Sequence, residues 1–129
     1  MNLDFVIIGG IVLFLLFIVW KLSRKKKLSQ KTIIQYSAKI RKTSSLDPAH
    51  AIMESHKIFV AALSEMFENK KLPAARKITK IQKRLPNVKR IWQHHGFRNK
   101  IAHETDVRVS KTQAASARKD FIKALESLG

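Results

Sequence analysis

The chain has 129 residues, with 26 Lys plus Arg against 9 Asp plus Glu, a formal net charge of +17. That length fits one small domain, and the absence of cysteine excludes a disulfide-stapled scaffold, a thiolate zinc site and a cysteine nucleophile. A hydrophobic content of 45% argues against a wholly disordered chain, and the charge points to a polyanion: nucleic acid, an anionic membrane face, or both.

The first element is an uncharged run of 16 residues from Phe5 to Trp20, FVIIGGIVLFLLFIVW. As a helix it spans about 24 Å. Leu22 and the aliphatic stem of Lys21 extend it toward the hydrocarbon thickness of about 30 Å. The run has no polar face, which excludes a buried core helix. It is preceded by Met1–Asp4 rather than a basic segment, and it ends in Trp20-Lys21-Leu22 rather than at a small-residue cleavage site. A retained transmembrane anchor over residues 1–22 is therefore predicted over a secretory signal. Gly9-Gly10 lacks the small-xxx-small spacing of a helix-pairing motif.

Six cations, Lys21, Arg24, Lys25, Lys26, Lys27 and Lys31, fall within eleven residues after the run. Trp20 with Lys21, Arg24, Lys25, Lys26 and Lys27 is expected at the membrane interface. Under the positive-inside rule the basic end stays cytoplasmic, giving a single-pass cell-membrane protein with its N-terminus outside. Residues 23–31 read as a basic juxtamembrane segment suited to anionic headgroups, its simplest role being a stop-transfer signal.

Residues 32–129 keep 20 Lys plus Arg against 8 Asp plus Glu, so this part alone carries +12. No stretch alternates with period two for long, whereas stripes of period 3.6 recur. A first helix is expected over about 29–42, with Ile33, Ser37 and Ile40 inward. Asp47 followed by Pro48 is a strong helix start. The helix it opens is predicted to run to about residue 68, with Ile52, His56, Phe59, Leu63, Met66 and Phe67 inward. Pro73 opens a short helix carrying Ala75, Ile78, Gln82 and Leu85. Pro86 opens another, from about 87 to 104. Ser110 and Gln113 have capping-box spacing, and the last helix presents Ala114, Ala117, Phe121, Leu125 and Leu128. The prediction is an all-α protein: one N-terminal transmembrane helix followed by a small four- or five-helix antiparallel bundle. A domain of this size buries a modest core, which dimerisation would supplement.

The penultimate helix breaks its own pattern. With Val88 at the origin, Ile91, Trp92 and Ala102 lie at about 300°, 40° and 320°, an apolar arc centred near 0°. His95 at about 340° and Asn99 at about 20° fall inside that arc, and His103 follows at about 60°. Polar groups on a core-facing stripe cost free energy unless they are satisfied, and such local failures are expected at functional sites. Asn99, one turn before His103, can fix the tautomer of that ring. Arg98 stands about 140° from His103, so the two share a face only if the helix deforms or a second copy contributes. Gly96 is the expected place to bend.

The segment Arg98-Asn99-Lys100-Ile101-Ala102-His103 resembles the signature of the HEPN superfamily (higher eukaryotes and prokaryotes nucleotide-binding): an Arg, a polar residue, then a His after four to six intervening residues. The resemblance covers the motif helix closely and residues 29–128 in general architecture. It implies an all-α bundle acting as a homodimer, in which two motifs meet in a shared cleft as a metal-independent endoribonuclease with no cofactor. RNA is then the partner, the anchor places the domain at the membrane, and an antitoxin-like protein partner is left open. Thr105 stands where one toxin branch has a Tyr, which argues against that branch's regulation by modification of the Tyr. The anchor lies outside the family's core pattern.

If the resemblance holds, His103 is the general acid–base and Arg98 the clamp on the phosphate oxygens, with Asn99 orienting. His95 and His94 are candidate auxiliaries. Lys83, Arg84, Lys89, Arg90 and Lys100 are candidate contacts to the nucleic-acid backbone, the competing reading being a solvated helix face. His94 and His95 project about 100° apart and do not form a chelate, so no metal site is expected. His56 reads as a satisfied core histidine, Trp92 as core rather than a base-stacking platform, and His50 as surface. Gly-rich phosphate loops and serine elbows are absent, which removes ATPase and serine-hydrolase readings. The class-distinct alternative is a catalytically silent module binding nucleic acid or a protein at the membrane.

Overall fold

In the computed structural model, residues 2–23 and 26–129 are described, Leu22 and Ser23 by backbone alone. The interface positions expected at Arg24 and Lys25 lie outside the described residues. The protein is all-α. Helix α1 (Leu3–Ser23) carries the apolar run, and none of its Leu3–Lys21 window, mean hydropathy 2.7, is buried. By length and composition it is able to cross a membrane. Trp20 and Lys21 are exposed at its end, as are Lys26 and Lys27 just beyond.

Five further helices form the bundle: α2 (Gln30–Lys42), α3 (Pro48–Ser64), α4 (Ala74–Ile81), α5 (Val88–His103) and α6 (Lys111–Ser127). Their boundaries follow local chemistry. Ser29 accepts from the Thr32 amide at the start of α2, and Asp47 accepts from the His50 amide ahead of Pro48. Ser110 and Gln113 close the expected capping box, at 3.0 and 2.8 Å. The left-handed Asp106 (φ 65°) turns the chain out of α5, a conformation that aspartate tolerates better than most residues.

Helix α3 lies at the centre and packs on α2, α4, α5 and α6. Phe59 stacks on Phe121 with ring centroids 4.9 Å apart. Around them Ile40, Ile52, Leu63, Ile78, Ile91 and Leu125 are fully enclosed. The inward stripes expected for α2, α3 and α6 are buried, except that Phe67 is only half-buried.

Three expectations change. The helix opened by Pro48 ends at Ser64, four residues early, and residues 65–72 turn instead. The buried Lys77 ties that turn down through hydrogen bonds to Ser64 Oγ (2.6 Å) and the Lys70 carbonyl (2.9 Å). Helix α5 runs unbroken through Gly96. A glycine in a helix interior only weakens the helix, and this one packs on α3 and α6. Lastly, the packed bundle reaches back beyond residue 32. Leu28 is buried and its amide donates to the Leu128 carbonyl at 2.8 Å.

Candidate functional site

Helical continuity fixes the angular spacing of side chains on α5, whose one fully buried residue is Ile91. The buried face is centred nearer Ile91 than the sequence arc implied, so His103 falls outside it and is exposed, as are Ala102, Gly96 and Lys100. Among the described residues His103 has no hydrogen-bond partner. Asn99 does not orient it. Instead Asn99 turns one helical turn back, its Nδ2 lying 3.3 Å from His95 Nε2.

The residues that meet are Arg98, Asn99, His95 and His56. Arg98 Nη1 donates to Asn99 Oδ1 at 3.2 Å, and His95 Nδ1 lies 2.9 Å from His56 Nε2. The guanidinium only donates, so it sets the direction of the whole chain. Asn99 must point its oxygen at Arg98 and its amide N–H at His95 Nε2. His95 then carries its proton on Nδ1 and donates to His56 Nε2. Both rings are accordingly neutral. Burial, then the proximity of His95 and the Arg98 charge, push His56 down to about 4. Burial and then the Arg98 charge lower His95 from its ordinary value.

This ladder lines an open cleft of about 450 Å³ between α3 and α5, walled by Pro73, Ala74 and Ala75 and flanked by Glu54 and Lys57. Arg98 lines this cleft, and its Nε is buried without a hydrogen-bond partner among the described residues. An unpaired buried donor on a cation is costly, and an oxyanion in the cleft would supply its acceptor. Among the described residues no group of three or more His, Asp or Glu has metal-holding geometry.

The neighbouring His94 belongs elsewhere. Its Nε2 lies 2.6 Å from Asp120 Oδ2 on α6, which also accepts from Arg90 Nε at 2.7 Å. Arg90 further donates to Ser116 Oγ, and Asn87 Nδ2 donates to the Asp120 carbonyl at 2.9 Å. Burial would raise the Asp120 carboxyl, but the hydrogen bonds from His94 and Arg90, with their charge, more than offset it and hold the group below its ordinary value. His94 and Arg90 therefore join α5 to α6, with the Arg90 side chain still exposed.

The other expected cations divide. Lys89 and Lys100 are exposed on α5, and Lys83 is exposed after α4. Arg84 is committed to two carbonyls, Lys26 O at 2.6 Å and Leu128 O at 3.4 Å. Trp92 is half-buried, its indole N–H donating to Gln82 Oε1 at 3.0 Å. His56 is buried and satisfied, as expected of a core histidine, yet it also lines the cleft. Asp120 went unread in the sequence, although a carboxylate between Ala117 and Phe121 on an apolar stripe was the available signal. No protein-family model, curated protein or solved structure matches the chain.

Proposed function

We propose that the protein is a membrane-tethered, HEPN-like domain that binds RNA in the cytoplasm through a backbone phosphate seated on Arg98, and that as a homodimer it cleaves RNA without a metal. One observation carries the binding half: Arg98 lines an open cleft, and its buried Nε has no hydrogen-bond partner among the described residues. A phosphate oxygen completes that donor, and a guanidinium offers paired hydrogen bonds to two such oxygens. The +12 carried by residues 32–129 attracts a polyanion over longer range. The six cations between 21 and 31 favour the cytoplasmic side for the bundle.

Cleavage follows from the same groups. The RNA 2′-oxygen attacks the adjacent phosphorus as a base removes its proton, and the 5′-oxygen leaves as an acid supplies one. The products are a 2′,3′-cyclic phosphate and a free 5′-hydroxyl. Arg98 neutralises charge on the non-bridging oxygens, and His103 is the proton carrier. Because α5 is unbroken, Arg98 and His103 of one chain point about 140° apart. The exposed His103 face is therefore assigned to meet the cleft of a second copy.

The same divergence, together with the commitment of Asn99 to His95, favours a second reading in which the domain binds RNA and does not cut it. Full-length protein in lipid nanodiscs, incubated with mixed RNA and a chelator, separates the two. Cyclic-phosphate ends that vanish in both Arg98→Ala and His103→Ala support the nuclease. Salt-sensitive retention of RNA, weakened by Arg98→Ala without cleavage, supports the binding module. RNA retention indifferent to Arg98→Ala overturns both.

A further inference from the structure

A second cavity lies away from the arginine–histidine cleft. It is an open groove of about 600 Å³ beside α4, and its floor is apolar: Met66, Phe67, Leu72 and Ile81. Lys26, Lys80, Lys83 and Arg84 stand around it, with one carboxylate, Glu68. Lys80 and Lys83 are exposed and form no ion pair among the described residues. Arg84 binds the Lys26 carbonyl at 2.6 Å and so fixes the start of the packed chain to the rim of the groove.

We propose that this groove binds an anionic phospholipid from the bilayer that α1 enters. The inference rests on the reading of α1 as a membrane span. Two features select the ligand. Lys26 is three residues beyond Ser23, the last residue of α1, and three residues of any conformation cover at most about 10 Å. The cationic rim is thereby held at headgroup depth, where basic residues attract anionic lipid. The apolar floor calls for an acyl chain, because a ligand held through its phosphates alone would engage the rim and leave Phe67 and Leu72 uncovered. A site of this size, mostly apolar with a few convergent charges, suits one amphiphile.

The test uses the full chain in nanodiscs of phosphatidylcholine with phosphatidylglycerol, followed by native mass spectrometry of retained lipid. The expected result is preferential retention of phosphatidylglycerol. Lys80→Gln/Lys83→Gln should lower it about 30-fold, the worth of two cations at an anionic surface. Lys119→Gln/Lys123→Gln removes the same charge from exposed positions of α6 and should leave retention unchanged. Leu72→Asp should also abolish retention, with helical content monitored by circular dichroism. Equal losses in the two double variants would indicate diffuse attraction and overturn the site, as would no loss in either. Impaired RNA retention with unchanged lipid in Lys80→Gln/Lys83→Gln would reassign the groove and overturn it too. An alkaline wash separates the premises. Release of the chain from vesicles refutes the span, and with it the lipid site. A chain that stays embedded but shows no preference for phosphatidylglycerol refutes the groove alone.

Discussion

Two faces of α5 carry adjacent histidines that behave as opposites. On one, His94 and Arg90 converge on Asp120, and a carboxylate held below its ordinary value welds α5 to α6. On the other, His95 is stacked between Asn99 and His56 with no carboxylate among its hydrogen-bond partners, and its neighbour Arg98 favours the uncharged ring. The lesson is that burial, and then partner charge, decide what a half-buried histidine does. Beside an acid it becomes a joint, whereas beside a guanidinium it stays neutral and leaves the cation free to take an anion.

Acid should separate the two faces most strongly. His56 has an unfolded value of 6.5 and a folded value of about 4. A base kept neutral by the fold contributes fully above the unfolded value and loses that contribution as pH falls toward the folded one. Stability should therefore drop by about 3 kcal/mol between pH 6.5 and 4, with His95 acting in the same direction. Thermal melts across that range check it, and His56→Leu should flatten the profile. The Asp120 face should remain intact there, because a depressed carboxyl loses its contribution only below the unfolded 3.8.

Asp120→Ala comes next, at about 2 kcal/mol, since it strands His94 and leaves Arg90 half-exposed. The melting temperature should fall at pH 7 while the acid profile of the His56 face keeps its shape. A collapse of both together would mean that the faces are not independent. Arg98→Gln should change stability by less than about 1 kcal/mol. It should raise the titration points of His95 and His56, readable by histidine NMR, because the Arg98 charge helps to lower both. Smallest of all is His103→Ala, within about 0.5 kcal/mol for an exposed residue. Loss of cleavage in that variant would consequently be chemical rather than structural.

Much of this was readable from local rules. Asp47-Pro48 and Ser110-Gln113 announced their helices because capping is decided within four residues. The stripes Ile33-Ser37-Ile40 and Ala117-Phe121-Leu125 announced their faces because burial follows a fixed period. The polar intrusion at His95 and Asn99 was equally visible, but its partners were not. Asn99 chooses between His95 and His103, one turn either way, and α3 decides the matter by bringing His56 to one side only. Gly96 misled in a similar way, since its weak helix preference is overridden by contacts that no sequence window contains. At the end of α3, Ser64 is held by a hydrogen bond from Lys77, thirteen residues away.

Gly96 has a consequence of its own. Nothing lies within 4 Å of the position where its side chain would begin, so the fold of one chain draws no packing advantage from the missing atom. It does forgo about 1 kcal/mol of helix preference relative to alanine. Gly96 stands two turns before His103, within about 20° of it around the axis, with Lys100 close beside that line. The result is a strip of bare backbone leading to an exposed imidazole. Any surface that reaches His103 along α5 can lie closer to the helix there than it could over any other residue type.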